Sequence, residues 1–136
     1  MHNLVKQIQA DSHVLCEDSV NPVFLNACQN YLEDTYQMKL PKEYCLLLKY
    51  ANGLHSPLAT IFGVMPATIS DIVGANEDNT LFNKNNYLIL GYNSFDWLLY
   101  NQEKDCYQTY DKHDFTLIDT YSSLKDVVEH WFIIPE

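Results

Sequence analysis

The sequence contains no arginine. All eight basic side chains among its 136 residues are lysines. The arginine guanidinium is the planar, bidentate group that best recognises phosphate and carboxylate, so its absence argues against nucleic-acid binding and phosphoryl transfer. Eighteen acidic side chains give a formal net charge of −10. An acidic surface repels polyphosphates and attracts basic proteins, although acidity also serves solubility alone. We therefore expect no nucleic-acid partner.

Long apolar runs and glycine-rich segments are also missing. The four glycines and five prolines are scattered, and the longest uninterrupted apolar runs are too short to span a membrane. The N-terminus lacks the basic segment, apolar run and cleavage site of an export signal. With 47% hydrophobic residues, the length suits one core. We expect a single cytoplasmic domain, residues 1–136, with no membrane partner.

Motifs for metal binding are missing as well. The four cysteines show no C-x-x-C or Cys/His spacing typical of zinc sites, and we expect free thiols. The segment Asp111-Lys112-His113-Asp114 is better explained as a polar hairpin turn than as a ligand cluster. The segment Asn76-Glu77-Asp78-Asn79 lacks the glycine and terminal glutamate of a calcium loop, which predicts a solvated turn. We expect no metal and no cofactor.

Signatures of nucleophilic catalysis and phosphate binding do not occur in the sequence either. Ser12-His13 and His55-Ser56 are neighbours along the chain, which gives a nucleophile and its base no defined geometry. Eighteen acids in a small domain must bring some carboxylates together by chance, so an enzyme with an acidic cleft stays open as a minor alternative. We expect a protein without enzymatic activity.

Helical periodicity marks both ends of the chain. Apolar spacing predicts helices over residues 3–10 and 21–36, and a third helix with Pro41 at its first position and Gly53 as its left-handed cap. Ser123 opens a closing helix with a start that resembles a capping box. Its predicted buried stripe consists of Leu124, Val127, Val128 and Trp131.

The middle of the chain favours strands around one short helix at residues 70–75. Phe95, Trp97 and Leu99 alternate with other residues and predict a strand with one strongly apolar face. Helices first, an antiparallel meander next and a closing helix predict an α+β fold, in which a sheet of four or more strands is flanked by N-terminal helices and a C-terminal helix. The other predicted strands are residues 58–64, 87–90, 106–110 and 115–118.

The helix that begins at Pro41 belongs to an ordered set of short motifs. They are Leu40-Pro41-Lys42-Glu43-Tyr44, Leu47-Leu48, Asn52-Gly53, Phe62-Gly63, Asp71-Ile72, the strand ending at Gly91, the hairpin with Tyr100, Tyr107 and Tyr110, and Ser122-Ser123-Leu124. This order resembles the SUKH superfamily, which includes a yeast cell-wall-assembly regulator and many bacterial toxin-immunity proteins. The turn after Gly91 is bulkier than the turn of many relatives and looks like that of hypothetical bacterial members.

The resemblance implies a non-enzymatic protein-binding module, and most specifically an immunity protein that neutralises a cognate bacterial toxin. The acidic, arginine-free composition fits a basic toxin domain, such as a nuclease whose phosphate-binding surface is covered by the inhibitor. The cell-wall branch of the family implies the alternative, a regulatory scaffold or a small-ligand-binding protein.

Tyrosines and acids alternate in the predicted hairpins, and this mixture suits a basic protein surface. Tyrosine and tryptophan are enriched at protein–protein hot spots, although they also pack in cores. We interpret Trp97 as a core residue, because it shares a face with Phe95 and Leu99. The predicted partner-binding residues are Glu77, Asp78, Asp96, Tyr100, Glu103, Asp105 and Asp111.

Overall fold

The chain folds around an antiparallel sheet that is flanked by helices. The computed structural model describes residues 1–11, 13–16, 18–64, 71–79 and 82–133. Within these residues the helices are α1 (His2–Gln9), α2 (Pro22–Tyr36), α3 (Lys42–Leu48), α4 (Ile72–Glu77) and α5 (Leu124–Phe132). The strands are β1 (Leu15–Cys16), β2 (Leu54–His55), β3 (Ala59–Ile61), β4 (Tyr87–Asn93), β5 (Asp96–Asn101), β6 (Cys106–Asp111) and β7 (Leu117–Tyr121). The expected α+β architecture is confirmed.

The strands follow one another across the sheet in chain order from β1 to β7, and neighbouring strands are antiparallel. Because each strand reverses direction, the turns alternate between the two ends of the sheet. One end, which we call the Asp96 end, holds the β4–β5 and β6–β7 turns, and Asp96 lies opposite Asp111 there. The other, the Asp105 end, holds the β5–β6 turn, where Asn101 lies opposite Cys106.

One face of the sheet, which we call the helix face, is covered by α3 and α5. Directly opposite residues of antiparallel strands point to the same face. The pairs Leu88–Tyr100 and Tyr100–Tyr107 therefore lie on one face, and all three side chains are at most 7% exposed. Tyr107 lies near Glu43 and Cys45 of α3, whose charges contribute to its raised pKa after the larger effect of burial. Side chains alternate between the two faces along β5 and β6, so Asp96 and Asp111 lie on the same face as Tyr100 and Tyr107.

The helices predicted at the two ends of the chain are confirmed. Helix α2 begins after Asn21, whose Oδ1 accepts a hydrogen bond from the Val23 N–H at 2.9 Å, as expected for an N-cap. In α5 the predicted stripe is buried at Val127 and Val128, whereas Trp131 is only partly buried. The side chain of Trp131 is therefore available to the surface beside α5.

Helices α3 and α5 are joined by the carboxylate of Glu43. Ser123 is the N-cap of α5, and its Oγ accepts from the Lys125 N–H at 3.1 Å. Glu43 accepts three hydrogen bonds at the same helix start, from the Ser123 hydroxyl (2.9 Å), the Leu124 N–H (3.0 Å) and the Lys125 N–H (3.2 Å). A negative charge there also complements the helix dipole. A residue 80 positions before Ser123 thus completes the cap of α5.

The motifs that carry the SUKH resemblance join α3 and the segment that follows it to the residues just after β3. Tyr44 is fully buried, and its hydroxyl donates to the Phe62 carbonyl at 2.6 Å. The Asn52 side chain donates to the Val64 carbonyl and accepts from the Val64 N–H, both at 2.8 Å. A Cβ on Gly63 would lie 2.3 Å from the Asn52 carbonyl oxygen, so a larger residue does not fit. These residues therefore have a structural role in the fold.

Helix α3 differs from the prediction at both of its ends. Pro41 is the N-cap rather than the first helical residue, and the helix ends at Leu48. The prediction that Gly53 caps this helix is wrong, because Gly53 lies beyond it, where the chain enters β2. Gly53 has a φ of +100°, and a Cβ there would lie 3.0 Å from the Ile61 carbonyl oxygen. Glycine is therefore needed at this position for the close approach to β3.

Two predicted strands also have different bounds. The segment 58–64 contains only the short strand β3, and the last strand starts and ends later than the predicted segment 115–118. The expectation that Phe95 lies on an apolar strand face is wrong. The Asn93 side chain accepts hydrogen bonds from the N–H groups of Phe95 (2.9 Å) and Asp96 (2.7 Å), which turns the chain before β5. Phe95 consequently lies in the turn with 76% of its surface exposed.

Helix α4 packs against β4 through a buried asparagine. The side chain of Asp71 caps the helix, and the predicted start at residue 70 lies outside the described residues. Asn76 is 3% exposed. Its amide donates to the Ile89 carbonyl at 2.9 Å and accepts from the Ile89 N–H at 2.7 Å. The prediction of a solvated turn at residues 76–79 is wrong for Asn76, because its side chain pairs with β4 as a neighbouring strand would.

Candidate functional site

The structure divides the predicted partner residues between the two ends of the sheet. Asp96 and Asp111 lie opposite each other at the Asp96 end. Glu103 and Asp105 lie in the β5–β6 turn at the other end. Strand β5 separates them and has six residues, which corresponds to about 17 Å at roughly 3.3 Å per residue. The four carboxylates therefore form two separate surfaces.

At the Asp105 end, carboxylates already have hydrogen-bond donors within the protein. Tyr100 is only 7% exposed, and its hydroxyl donates to Asp105 at 2.6 Å. Burial and this hydrogen bond raise the pKa of Tyr100. Glu77 and Asp78 end α4, and the Tyr31 hydroxyl donates to Glu77, which raises the pKa of Tyr31 to about 12. The predicted carboxylates Glu77 and Asp105 thus accept hydrogen bonds from tyrosine hydroxyls of the protein itself.

The Asp96 end holds an open pocket between the helix face of the sheet and α5. Its volume is about 270 Å³. The residues at its rim include two large apolar side chains, Leu58 and Phe95, which are 64% and 76% exposed. The pocket is therefore reached directly from solvent. Its sheet side is lined by Asp96, Thr109, Asp119 and Tyr121, and its helix side by His130 and Trp131.

Three carboxylates lie close together at this pocket. Asp96 and Asp119 line it, and Asp111 is the direct cross-strand neighbour of Asp96. Burial raises the pKa of Asp96, and the negative charges of Asp111 and Asp119 raise it further, whereas Lys112 acts in the opposite direction. The ionised form of Asp96 is thus disfavoured by its surroundings. An added positive charge would remove part of that cost.

Lys112 is the cation whose charge acts on Asp96, and its ammonium group lies over aromatic rings. The Nζ atom lies 4.4 Å from the ring centroid of Tyr92 and 5.1 Å from that of Trp97. These two residues are cross-strand neighbours, and alternation along β5 places them on the face opposite Asp96. Burial lowers the pKa of Lys112. In the described part of the chain, no salt bridge involves the carboxylates of Asp96 or Asp111.

The pocket contains residues that no sequence motif predicts as partner residues. Leu58, Asp119 and His130 are far apart in the sequence and meet only because the meander and α5 bring their elements together. One local signal was present. Asp119 alternates with Tyr121, and this period of two places both side chains on one face of a strand. The predicted strand ends at residue 118, whereas β7 continues to Tyr121 and includes both residues.

The turn at the Asp96 end has the predicted polar geometry. Asp111 Oδ1 accepts hydrogen bonds from the N–H groups of His113 (2.7 Å) and Asp114 (3.1 Å), which confirms the turn. Across the described ranges, no group of three His, Cys, Asp or Glu side chains is placed to hold a metal ion. The helices in those same ranges include none with the length and apolar character needed to cross a membrane.

No protein-family model matches the chain, and no curated protein matches it either. The resemblance to the SUKH superfamily therefore depends on the order of short motifs alone. Those motifs supply the cap of α5 through Glu43 and the contacts of Tyr44 and Asn52. The pocket at the Asp96 end is formed mainly by other residues.

Proposed function

We propose that the protein is a non-enzymatic protein-binding module of the SUKH type, and that it acts as an immunity protein that neutralises a bacterial toxin. The toxin domain is basic and binds at the Asp96 end of the sheet. One observation carries this proposal. Asp96 and Asp119 lie in an open pocket beside Asp111, and among the described residues no salt bridge neutralises Asp96 or Asp111.

A lysine or arginine side chain of the partner suits this pocket chemically. Its positive charge would lie among three carboxylates and reduce the repulsion that raises the pKa of Asp96. Its apolar stem or guanidinium plane would pack on the rings of Phe95 and Trp131. Arginine and tryptophan are both enriched at hot spots of protein–protein interfaces, so an arginine of the partner packed on Trp131 fits such a contact.

The shape and lining of the pocket suit an inserted side chain of a protein partner. Its volume of about 270 Å³ is near the lower end of the range of roughly 300–1,000 Å³ that is usual for small-molecule sites. The rim is open and apolar, because Leu58 and Phe95 are mostly exposed. Apolar area around a charged centre suits a protein surface, which covers both at once. The alternative of a small-ligand-binding protein is therefore less well supported.

The net charge of −10 supports a basic partner in a second way. Summed over the surface, charges of one sign attract an oppositely charged protein before contact and raise its association rate. Rim charges act mainly on association, whereas buried contacts act mainly on dissociation. Asp119 is exposed and Asp96 is half-buried, so both act on association, and they act more strongly than Glu103 and Asp105 because they lie where the partner makes contact.

The first step of the test is co-expression with the product of the adjacent gene, followed by a pull-down. Association rates are then measured for two double reversals, Asp96→Lys with Asp119→Lys and Glu103→Lys with Asp105→Lys. The two variants change the net charge equally, so the second is a matched control for long-range attraction. We expect the first pair to slow association at low salt by about tenfold or more, and the second pair to have a clearly smaller effect.

High salt provides the second comparison. Exposed charges are screened beyond a Debye length of roughly 10 Å at 0.1 M salt, so the rates of the variants should converge as salt rises. A stronger effect of the Glu103 and Asp105 reversal would place the contact at the Asp105 end. Equal rates for all proteins at low salt would mean that the acids serve only solubility, and the proposal would be wrong.

A further inference from the structure

Strand β7 forms an open edge of the sheet. It is last in the strand order, and among the described residues no strand lies on its outer side. Its side chains from Leu117 to Thr120 are exposed. The Asp119 N–H donates towards β6, to Thr109 Oγ1 at 3.1 Å. Because backbone direction alternates along an antiparallel strand, the N–H and carbonyl of Thr120 point away from β6. An extended segment of another chain can pair with them.

The β7 edge carries few of the usual features that prevent strand pairing, namely one acid, Asp119, and a β-bulge near its start. Natural edge strands are often very short, or they carry lysine or proline. Strand β7 has five residues with neither lysine nor proline, whereas the opposite edge strand β1 has two residues. A β-bulge lies opposite Thr109 and Tyr110, towards the start of β7. The segment from Asp119 to Tyr121 keeps a regular register, and it is the part best suited to pairing.

An exposed apolar surface lies beside this edge. Leu117 and Ile118 are 50% and 48% exposed, and Phe115 in the preceding turn is 43% exposed. Phe115 has a φ of 59°, in the left-handed region that suits glycine and strains a residue with a Cβ. Its ring lies edge-on to Phe82 at 6.5 Å, yet nearly half of it faces solvent. A strained, exposed aromatic residue is a reason to look for a binding role.

Charge distinguishes a basic partner from a second copy of this chain. Asp119 pairs with Thr109, and Thr109 pairs with Leu98, so Asp119 lies on the helix face with Asp96. Two copies paired antiparallel about Asp119 would bring its two carboxylates directly opposite each other, which is destabilising. Each copy also carries a net charge of −10. A strand with lysine or arginine opposite Asp119 has no such conflict.

We infer that the β7 edge pairs with an extended segment of the basic partner, whose cationic residues face Asp119 and the pocket. The apolar residues of this segment alternate with its cationic residues and therefore lie on the other face of the sheet. On that face they cover Leu117, which pairs with Tyr110, and Phe115 in the preceding turn. The inference rests on the proposed function and specifies how that partner docks. Main-chain hydrogen bonds supply affinity in such a complex, and alternate side chains supply specificity.

A capped peptide that alternates lysine and valine tests this pairing without knowledge of the partner. We expect it to shift the backbone amide resonances of residues 117–121 in isotope-labelled protein and to slow hydrogen exchange at Thr120. One control peptide carries N-methyl groups on alternate amides, and another has glutamate in place of lysine. Both controls should bind at least tenfold more weakly. Equal binding of either control, or shifts confined to the Asp105 end, would overturn the inference.

Variants of the protein test the same contact from the other side. Thr120→Pro removes the outward N–H, whereas Thr120→Ala keeps it, and proline is tolerated at edges where the N–H faces solvent. We expect Thr120→Pro to weaken binding of the lysine–valine peptide at least tenfold and Thr120→Ala to change it little. If Thr120→Pro does not fold, the N-methylated peptide decides the question. Equal peptide affinity of the two folded variants would overturn the inference.

Phe115 has a test of its own. Phe115→Gly should raise the melting temperature or leave it unchanged, because glycine relieves the left-handed strain. Phe115→Ala loses the ring and keeps the strain, and both variants should bind the lysine–valine peptide several-fold more weakly. Unchanged affinity in both variants would remove Phe115 from the docking surface and overturn that part of the inference.

The inference and the proposed function can fail separately. A basic toxin domain that binds Thr120→Pro as tightly as the unmodified protein would overturn the edge pairing and leave the proposed function intact. Peptide binding at β7 without binding of any toxin domain would overturn the proposed function and support the edge as a docking strand. A concentration-dependent dimer that Thr120→Pro abolishes would overturn the inference in favour of a second copy.

Discussion

The substitution Glu43→Ala removes the acceptor that joins α3 to the start of α5. In the intact protein this carboxylate accepts from the Ser123 hydroxyl and from the N–H groups of Leu124 and Lys125, at 2.9, 3.0 and 3.2 Å. Ser123 Oγ also accepts from the Lys125 N–H, and this bond remains after the substitution. The Leu124 N–H therefore loses its acceptor, and the helix start loses a negative charge.

The expected cost follows from these contacts. Loss of a helix cap costs about 0.5–2 kcal/mol, and loss of a hydrogen bond to a charged group costs about 1.5–3 kcal/mol. The site is only partly buried, so water satisfies part of the freed N–H groups. We therefore expect Glu43→Ala to lower the free energy of unfolding by about 2–3 kcal/mol. Glu43→Gln keeps an acceptor and loses the charge, and it should cost about 1 kcal/mol.

Urea unfolding measures this cost, since a shifted midpoint with an unchanged slope reports stability alone. Glu129→Ala is the matched control, because Glu129 lies in the same helix and forms an exposed salt bridge with Lys125 at 3.9 Å. Such exposed pairs contribute at most about 1 kcal/mol, and pairs one helical turn apart about 0.3–0.5 kcal/mol. Equal losses in Glu43→Ala and Glu129→Ala would refute the assignment of Glu43 as the cap of α5.

Other substitutions test the core and the pocket. Asn76→Ala should cost about 2–4 kcal/mol in urea unfolding, because it leaves the backbone groups of Ile89 unpaired in the interior; a loss below about 0.5 kcal/mol would contradict this. Leu48→Ala truncates a fully buried side chain and should cost about 2–5 kcal/mol, so an unchanged melting temperature would refute its place in the core. The pKa of Asp96 is raised in the folded protein by burial, Asp111 and Asp119, so stability is lost as pH rises through that pKa. Asp96→Asn should therefore raise the melting temperature at pH 7, and the gain should disappear below about pH 4, where the carboxyl is protonated in both states; an equal gain at every pH would contradict this cause.

The features that the sequence predicted are those with local patterns. The helices near the N-terminus and α5 follow from apolar spacing within one segment, and Asn21 caps α2 through its own neighbours. Strands β4 to β6 were predicted because each is long enough for a run or an alternation to be recognised. In these cases the signal and the structure span the same few residues.

The features that were missed depend on partners far along the chain. Strands β1 and β2 have two residues each, and only their pairing makes them strands. Glu43 caps a helix 80 residues away, and no local pattern distinguishes it from an exposed helical acid. Asn76 lies in a polar segment that reads as a turn, yet its side chain pairs with β4.

The candidate site was predicted in part. Asp96 and Asp111 are predicted partner residues because they lie beside turns, and the structure places them opposite each other, with Asp96 in the pocket. Glu103 and Asp105 are predicted for the same reason and lie at the other end of the sheet. A turn assignment does not say at which end the turn lies, because that depends on the number and order of strands.

Hydrogen–deuterium exchange of the protein alone and in complex with the toxin domain of the neighbouring gene tests the proposed function most directly. We expect protection on binding in the β4–β5 turn, residues 93–96, and along β7, residues 117–121. We also expect this protection to be lost in the variant with Asp96→Lys and Asp119→Lys. Protection confined to the β5–β6 turn, residues 101–106, or no complex with any basic domain, would contradict the account.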